Sequence, residues 1–462
     1  MNGESGRYGG VEPGSKPVVY RGTPWRWFIL FYFSLSNCNQ CLSWFSFSST
    51  DEATMQSFFG DKMDHDTLDL LLNWGPIIGV LTFYPQTWLL EQPEGFKKGC
   101  WIGIVLVLLG NILRCVPIIY ANAAGHTAFV QSDLAFVCYH GGQIFIAAAG
   151  PFFMGTVTAL SKIWFLENER TTATAIATTA NALGTTIGFL NPQWLTLEPG
   201  QVPNIFWLSL GLSVVPLVCA MVYLPAHPKF PPSRAAEVSR SEELLAKRDD
   251  PTSTSGKTWL EKLLAAGKNR SFVVLIVSAS ILSGLQSGWG SLFQSILVPV
   301  GIDRNVVSTI GFGNGFAQNI GAFLSGWVID NFFSRRLKIG IIAGLFGCLL
   351  STAWFTVMIW GSASARPSEA ALVLAICLSG FFSGVSTPLF YELSAEIIYP
   401  LKEGMSAGIL VLLLNATSCI TIFLNNVESG TSMNLIMTVT IGLVLVCVLC
   451  FIEEKYNRPQ NE

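Results

Sequence analysis

Twelve long apolar segments, six on each side of one polar loop, form the main pattern along this chain. They cover 25–47, 68–90, 99–120, 132–157, 172–192, 203–224, 271–298, 305–329, 338–360, 370–391, 405–424 and 432–452. Each is near or above the roughly 20 residues that a helix needs to cross about 30 Å of hydrocarbon. Because lipid offers the backbone no hydrogen-bond partners, each crossing segment has to be helical. The pattern predicts an all-α membrane protein with twelve transmembrane helices in two six-helix bundles.

Polar stretches divide the chain into five parts. We expect a disordered cytosolic tail over 1–24, an N-terminal bundle over 25–224, a cytosolic linker over 225–269, a C-terminal bundle over 270–452 and a cytosolic tail over 453–462. The linker is rich in Ser, Glu, Lys and Pro, a composition that favours a flexible segment. No cleavable signal peptide is visible before the first span, which we expect to be retained.

The composition agrees with a membrane protein. Hydrophobic residues make up 51% of the chain and charged residues only 12%, about half the charged fraction of a soluble protein. The 11 Cys residues are scattered, mostly inside predicted spans, so we expect no disulfide framework. Cys38 and Cys41 form a C-x-x-C pattern on the first span, and we interpret them as buried small residues rather than metal ligands. We expect no metal and no cofactor.

Basic residues lie almost entirely on one side of the predicted spans. With the N-terminus inside, the cytosolic segments outside the linker hold Arg21, Arg26, Lys97, Lys98, Lys162, Arg170, Arg335, Arg336, Lys338, Lys402, Lys455 and Arg458. The loops on the opposite side hold Lys62, Arg304 and Arg366. Because Lys and Arg concentrate in cytosolic loops, both termini are predicted to be cytosolic. We expect the plasma membrane or a lysosomal or endosomal membrane.

The first external loop is acidic instead. It contains Asp51, Glu52, Asp61, Asp64, Asp66 and Asp69. We interpret it as a solvated loop, and weak attraction of cationic solutes to this side is the alternative.

A loop between the eighth and ninth spans carries a gate-like pattern. It contains Gly326, Asp330, Arg335 and Arg336 in the order G-x-x-x-D-x-x-x-x-R-R. Gly326 allows close helix approach, and Asp330 is placed to pair with Arg335 or Arg336 and hold a gate closed. The loop resembles the G-x-x-x-D-(R/K)-x-G-R-(R/K) motif of the major facilitator superfamily, whose members also have two equal halves around a linker.

A second block is more specific. Residues 388–404 read PLFYELSAEIIYPLKEG, with NWGP at 73–76, LRCVP at 113–117 and HGGQ at 140–143. The block resembles the F-x-E-x-x-A-E-x-x-Y-P-x-x-E-G pattern of solute carrier family 49, the feline leukaemia virus subgroup C receptor-related family. The shorter stretches resemble its disrupted-in-renal-carcinoma branch. The resemblance implies facilitative or proton-coupled transport of a small solute. Choline and ethanolamine, haem, and pyridoxine have been attributed to different members.

The same resemblance implies that two residues of this chain line the solute site. The tryptophan of the choline cage on the first helix aligns with Trp44, and a glutamine of the eleventh helix aligns with Asn415. The other cage glutamine aligns with Gly150, a departure that disfavours choline. A ring face can hold an ammonium or stack on a flat heterocycle. The alternatives are an interfacial tryptophan for Trp44 and an interhelical hydrogen bond for Asn415.

Ionisable residues inside the spans are further candidates. Arg114 is expected to snorkel, to pair with a substrate anion or to pair with Asp133. His140 is the candidate for proton coupling, because histidine titrates near neutral pH, and a packing histidine is the alternative. Nearby Gln143 is a candidate substrate-binding residue.

Two carboxylates lie near the cytosolic end of the tenth span. We interpret Glu392 and Glu396 mainly as gate residues that pair with bases such as Arg170 or Lys162, with proton carriage as the alternative.

Signals of soluble enzymes, such as a phosphate loop or G-x-S-x-G, are absent from the sequence. We therefore expect a monomeric transporter rather than an enzyme or a nucleic-acid-binding protein. It would move a small polar or cationic solute by alternating access, with or without coupling to protons. A pyridoxine-like vitamin is the first candidate for the solute. The alternatives are a choline, ethanolamine or haem transporter, or a membrane receptor that binds a solute without moving it.

Overall fold

The structure is a computed structural model. It describes residues 20–125, 127–166, 169–196, 198–233, 236–237, 240–241, 266–299, 301–332, 336–360, 368–398, 403–424 and 430–454. Regular structure in these ranges is helical throughout, with no strand. The predicted all-α class is therefore confirmed. The first 19 residues, the last eight and most of the predicted linker lie outside the described residues.

Twelve long helices make up the described part of the chain. They are α1 Trp25–Phe45, α2 His65–Glu91, α3 Gly95–Ala124, α4 Asp133–Trp164, α5 Arg170–Gly188, α6 Pro203–Val222, α7 Arg270–Ser291, α8 Arg304–Phe332, α9 Leu337–Trp360, α10 Glu369–Ile398, α11 Glu403–Leu424 and α12 Gly430–Phe451. Short helices cover Glu52–Phe59, Asn191–Trp194 and Phe293–Leu297, and 3₁₀ turns cover Thr127–Gln131 and Pro199–Gln201. Each predicted apolar segment overlaps one of the long helices.

Seven of these helices are long and apolar enough to cross a membrane by length and composition: α2, α3, α6, α7, α9, α10 and α12. The first of the remaining helices, α1, carries the buried amides Asn37, Asn39 and Gln40, which lower its hydropathy. The described apolar part of α11 covers only Gly408–Leu424. Crossing by all twelve helices stays a prediction.

Polar side chains cap several helix starts where the chain leaves a loop. The carboxylate of Asp64 accepts a hydrogen bond from the backbone N–H of Thr67 at the start of α2, at 3.0 Å. Ser132 does the same at α4 and Asn269 at α7. Each cap satisfies a backbone donor that has no partner inside the helix, so these residues fix where the helices begin.

The two halves repeat the same packing. In the first half α1 packs on α5 and α6, α2 packs on α4, and α3 packs on α4 and α6. In the second half α7 packs on α11 and α12, α8 packs on α10, and α9 packs on α10 and α12. Each pair reappears six helices later, as expected for an internal repeat.

The halves meet mainly through two helix pairs, α2 with α11 and α5 with α8. Glycines permit both close approaches: a Cβ on Gly311 of α8 would lie 2.2 Å from the ring of Phe189, and one on Gly408 of α11 would lie 2.9 Å from the ring of Phe83. Since α2 corresponds to α8 and α5 corresponds to α11 in the repeat, the two pairs are equivalent. The contact between the halves is therefore itself pseudo-symmetric.

Large apolar side chains cover the outer surface of the bundle in helical stripes. Exposed members include Val105, Leu109, Ile112 and Val116 on α3, Phe346, Leu350, Trp354 and Val357 on α9, and Leu435, Val439, Leu443 and Val446 on α12. A soluble protein rarely exposes such continuous apolar stripes. We interpret them as the lipid-facing surface, which places the polar residues of α1 and its neighbours in the interior.

Candidate solute site between the two bundles

Trp44 lies near the C-terminal end of α1 with its ring against α2. Its indole Nε1 donates a 2.9 Å hydrogen bond to the carbonyl oxygen of Leu72. That carbonyl has no helical partner, because the residue four positions on is Pro76, which lacks an N–H. A Cβ on Gly75 would lie 2.1 Å from Nε1. The proline and glycine of the NWGP stretch therefore hold the half-buried indole in place.

Asn415 of the second half reaches the same face of α2. Its side chain lies over Gly79, 3.2 Å from where a Cβ would be, and its Nδ2 donates to the carbonyl of Val411 at 2.9 Å. Gly75 and Gly79 are four residues apart, which is about 6 Å along a helix. The fold thus brings Trp44 and Asn415, from opposite halves, onto successive turns of α2.

Gln143 supports Trp44 from behind. It is fully buried on α4, and its Nε2 donates to the carbonyl oxygen of Trp44 at 2.7 Å. Its Oε1 accepts a 3.4 Å hydrogen bond from Arg114. The geometry favours a positioning role for Gln143 in this conformation. Direct contact between Gln143 and the solute stays a prediction.

Arg114 of α3 is fully buried, and its side chain lies beside the C-terminal end of α1. Its Nη1 donates to the carbonyl of Ser43 at 2.8 Å, and its Nη2 donates to the hydroxyl of Ser46. The guanidinium carbon lies 4.9 Å from the ring centre of Phe47 and 4.6 Å from that of Phe206. The charge therefore meets the negative end of the α1 dipole and two ring faces.

The sequence-based alternative that Arg114 pairs with Asp133 is wrong in this structure. Asp133 stands at the first position of α4 and forms an ion pair with Lys62 of the loop that precedes α2. Arg114 points to α1 instead, because the last carbonyls of that helix have no acceptor role within it.

His140 faces Trp74 of α2. The indole Nε1 of Trp74 donates to Nδ1 of His140 at 3.0 Å, and the half-buried rings meet edge to face. An accepting Nδ1 places the imidazole proton on Nε2 in the neutral form. A second proton on Nδ1 would remove this hydrogen bond, so protonation of His140 and release of Trp74 are linked.

A buried amide cluster on α1 was not assigned a site role from the sequence. Asn181 of α5 donates to Asn37 Oδ1 at 2.8 Å and to Gln40 Oε1 at 3.4 Å. Gln40 also donates to the carbonyl of Ile146 at 3.0 Å and lies 3.2 Å from the Cβ position of Gly150. Gln40 thus supplies an amide beside the position where the family glutamine is missing. Three amides on one membrane helix were the available signal.

The two cysteines beside these amides are free thiols. Cys41 is buried and Cys38 half-buried. Among the described residues, no group of three His, Cys, Asp or Glu side chains is placed to hold a metal ion.

The predicted cytosolic gate is only partly described. Asp330 lies on α8, but its side chain is outside the described residues, as is Arg335. Arg336 is exposed before α9, Glu392 is exposed on α10, and Glu396 is half-buried one turn later. The gate assignments for these five residues stay predictions.

A bidentate ion pair lies on the same side of the first bundle. Arg26 Nε and Nη2 donate to the two carboxylate oxygens of Glu169 at 2.9 and 2.8 Å. It joins the start of α1 to the residue before α5, which makes it a bond within one half.

The two halves are joined at the opposite end, which we call the outer end because the charge pattern assigns Asp51 and Arg304 to the outside. Arg304 Nη1 lies 2.9 Å from Asp51 Oδ2. The ring of Phe189 also packs on Phe45 and on Phe293 of the second half, with ring centres 4.6 and 6.3 Å apart. These contacts join the two halves, and the sequence did not reveal them because the residues are far apart in the chain.

Comparisons with known proteins agree with this architecture. The sequence model described as Major Facilitator Superfamily matches residues 102–422. The "Solute carrier family 49 member 4 homolog" of Xenopus laevis is 29% identical over 97% of this chain and 97% of that protein. The "Choline/ethanolamine transporter FLVCR1" of Mus terricolor is 26% identical over 84% of this chain and 67% of that protein.

Solved structures share the fold at low sequence identity. A variant of the E. coli fucose:proton symporter FucP is 15% identical with a TM-score of 0.56, over 93% of this chain and 98% of that one. A POT family transporter in complex with 5-aminolevulinic acid is 13% identical with a TM-score of 0.61, over 91% and 95%. The twofold packing, the lipid-facing stripes and these matches lead to one conclusion. The chain is a multi-pass membrane transporter that belongs to the major facilitator superfamily, and its predicted resemblance to solute carrier family 49 is confirmed.

Proposed function

We propose that this transporter moves a small polar or cationic organic solute, with a pyridoxine-like vitamin as the first candidate, by alternating access. The observation that carries the proposal is the meeting of Trp44 and Asn415 on successive turns of α2. These residues come from opposite halves, and a solute held by both would couple its binding to the rocking of the halves.

The chemistry of the two side chains supports a flat or cationic solute. A tryptophan face attracts an ammonium or stacks on a heterocycle, worth about 0.5–2 kcal/mol. An amide both donates and accepts hydrogen bonds, which suits hydroxyl groups and a ring nitrogen. Since the indole N–H is already engaged by Leu72, Trp44 offers the solute its ring face rather than a hydrogen bond.

Proton coupling is proposed through His140. The neutral imidazole accepts from Trp74, and Trp74 directly precedes Gly75, on which Trp44 rests. Protonation of Nδ1 removes the hydrogen bond and frees the Trp74 indole. Histidine is the side chain whose charge ordinarily changes near neutral pH, which supports this pair as a proton-sensitive support of the α2 face.

Gating is proposed at both ends of the molecule. Asp330, Arg335, Arg336, Glu396 and Glu392 would form the cytosolic gate, and the ion pair and ring contacts described above would form the outer one. Both termini are proposed to be cytosolic, in the plasma membrane or a lysosomal or endosomal membrane, on the basis of the charge pattern.

Choline or ethanolamine is the second candidate. Relatives of this chain are named as transporters of these solutes. The specific observation in its favour is Gln40, whose amide lies beside Gly150 and restores an amide near the position that lacks the family glutamine. Trp44 suits a quaternary ammonium as well as it suits a flat ring.

An uptake screen tests the proposal. Purified protein in liposomes is given radiolabelled pyridoxine, choline, ethanolamine or haem at two pH values. We expect saturable uptake of pyridoxine that depends on pH and is reduced in Trp44→Ala. Uptake of choline or ethanolamine alone would support the second candidate. Uptake of haem alone, or binding without accumulation, would contradict both.

A further inference from the structure

The outer ends of the two bundles enclose a cavity of about 570 Å³. We call it the vestibule. The first half contributes Asp51, Glu52 and Asp69 to its lining, and the second half contributes Gln294 and Arg304. Small-molecule sites usually have volumes of about 300–1,000 Å³, so the vestibule is large enough for a small organic molecule.

The vestibule carries an excess of negative charge. Three carboxylates face it against one guanidinium, and His65 adds an imidazole whose Nε2 lies 3.7 Å from Asp69 Oδ2. The side chain of Asp69 is 5% exposed, so its charge lies in a region of low dielectric, where it acts more strongly on a ligand than a surface charge does.

Two nearly buried polar groups line the same cavity with hydrogen-bonding capacity left over. Gln294 is 7% exposed, and its Nε2 donates to the hydroxyl of Ser308 at 3.1 Å. The other end of that amide, Oε1, has no hydrogen-bond partner among the described residues, and neither does Oγ1 of Thr50, a residue that is 3% exposed. A buried acceptor without a donor is unfavourable by about 1–3 kcal/mol, so these atoms are prepared for a ligand that donates.

The vestibule also contains the bond that joins the halves. Asp51 lines it and accepts from Arg304 across the interface. A cation that approaches Asp51 takes the position of the guanidinium and weakens the link between the bundles. The bound cation and Arg304 would then compete for one carboxylate, so binding in the vestibule would favour opening of the outer end.

The geometry points to the vestibule as a second solute site, which takes a small organic ammonium that carries hydrogen-bond donors. The carboxylates attract its charge, and Gln294 and Thr50 accept from its donors. A metal ion does not fit, because no set of three metal-ligating side chains is assembled within the described residues. Neither Trp44 nor Asn415 lines the vestibule, although Leu72, which accepts the indole hydrogen bond of Trp44, does. The inference does not depend on which solute binds at the central site.

Cysteine labelling from outside tests this site directly. Ala53 is exposed and lines the vestibule, while Ser57 is exposed on the same short helix outside the lining. Full-length Ala53→Cys and Ser57→Cys are treated with membrane-impermeant methanethiosulfonates that carry a trimethylammonium or a sulfonate. An anionic thiolate reacts faster with a cationic reagent at any exposed site, so the ratio of the two rates at Ser57→Cys is the reference. We expect the ratio of the cationic to the anionic rate to be about tenfold higher at Ala53→Cys than at Ser57→Cys, since charged clefts concentrate counter-ions by ten times or more.

Ethanolamine is the probe for occupancy, and ethylene glycol is its uncharged control. Ethanolamine should slow labelling of Ala53→Cys with a saturating dependence, while ethylene glycol should not. Adding Gln294→Met, which keeps the side-chain volume but removes the amide, should raise the half-protecting concentration about tenfold, as expected for a lost hydrogen bond to a charged group. Adding Arg304→Gln should lower it, because the competing cation is gone.

Folding is monitored by the labelling rate of Ser57→Cys in each background, and Asp61→Asn, an exposed external carboxylate outside the lining, controls for general loss of charge. Adding Asn415→Ala, which alters the central site and lies outside the vestibule lining, to Ala53→Cys should leave protection unchanged. Equal rate ratios at Ala53→Cys and Ser57→Cys, protection that does not saturate, or protection unaffected by Gln294→Met would overturn the inference, whatever the uptake screen shows. Loss of protection with Asn415→Ala would also overturn it, since the central site would then be the one occupied.

Discussion

At the scale of single residues, the site depends on backbone groups that the helices leave unsatisfied. Pro76 leaves the carbonyl of Leu72 without a helical donor, and the indole N–H of Trp44 donates to it. The carbonyl of Trp44 lacks a helical donor because α1 ends there, and the amide of Gln143 donates to it. In lipid each such group needs an internal partner. A side chain with a proposed solute role is therefore also a structural partner, which mutants have to separate.

Variants of Trp44 separate these roles. Trp44→Ala removes the ring and should lower the affinity for the solute by a factor of about 2–30, corresponding to about 0.5–2 kcal/mol. Trp44→Phe keeps a smaller ring but leaves the Leu72 carbonyl unsatisfied, which should destabilise the protein by about 1–3 kcal/mol. The double variant Trp44→Phe/Pro76→Ala returns an N–H to that carbonyl and should recover stability. The measurements are uptake and thermal unfolding in detergent. Equal stability of the single and double variants would contradict the assigned role of Pro76.

The hydrogen bond between Trp74 and His140 gives a prediction about the pH dependence of uptake. Trp74→Phe keeps an aromatic ring but cannot donate to Nδ1, so His140 no longer loses a hydrogen bond when it is protonated. We expect the pH dependence of uptake to shift to higher pH in Trp74→Phe and to flatten in His140→Gln. The measurement is initial uptake rate between about pH 5 and 8, the range in which histidine titrates. An unchanged profile in both variants would assign His140 a packing role only.

The residue types at the site were predictable from the sequence, but their partners were not. Trp44 and Asn415 were singled out by resemblance, and the structure brings them together. Gln40 and Asn181 were missed as a pair, because 141 positions separate them along the chain and only the packing of α1 on α5 joins them. Arg114 was expected to snorkel or to pair with a substrate anion or Asp133, whereas in the structure its guanidinium binds carbonyl groups at the C-terminal end of α1.

At the scale of helices, small residues decide which side chains reach the site. Gly75 and Gly79 leave room on α2 for one side chain from each half. The sequence predicted the positions of the helices well, because hydropathy marks the hydrocarbon thickness. It underestimated their lengths: α4 continues to Trp164 and α10 to Ile398. Beyond the hydrocarbon a helix keeps its backbone hydrogen bonds while its side chains become polar, so hydropathy no longer reports it.

A methyl group at Gly75 tests the role of α2. The ideal Cβ would lie 2.1 Å from Trp44 Nε1, so Gly75→Ala has to displace the indole and should reduce uptake about as much as Trp44→Ala. Gly211 on α6 has open space around its Cβ position and is the matched control. Gly211→Ala should leave uptake unchanged and stability equal or higher by up to about 1 kcal/mol. Full uptake by Gly75→Ala would show that the position of the indole is unimportant.

The cap of α2 gives a prediction about pH. Hydrogen bonds from the Thr67 hydroxyl and backbone N–H lower the pKa of the Asp64 carboxyl. A lowered pKa in the folded state means that the carboxylate stabilises the fold above its unfolded pKa and that this contribution is lost as the pH falls through the lowered value. Asp64→Ala should reduce stability by about 0.5–2 kcal/mol at neutral pH, and the difference in Tm from the parent should shrink in acid. Asp64→Asn, which still caps, should match the parent at neutral pH. A deficit of Asp64→Ala that is equal at all pH values would contradict a role for the charged form.

At the scale of the whole molecule, the two halves are joined by an ion pair between Asp51 and Arg304, and the proposed solute site lies between them. The repeat of packing pairs and the exchange of α2–α11 with α5–α8 follow from the two-bundle layout that the sequence predicted. The ion pair between Asp51 and Arg304 did not follow from it, because acidic and basic residues in two external loops have many possible partners. In the proposed alternating access, this outer contact opens and closes in turn with the cytosolic side while the solute is held between Trp44 and Asn415.

Counterflow in proteoliposomes tests that central claim most directly. Vesicles are loaded with millimolar unlabelled pyridoxine, diluted into a trace of labelled pyridoxine, and compared with vesicles that contain Trp44→Ala protein. A transporter that alternates exchanges the two pools, so the label should accumulate transiently above its outside concentration with the parent protein and much less with Trp44→Ala. Label that never exceeds one equivalent per protein, or accumulation that is equal in both, would contradict transport through the site between the bundles.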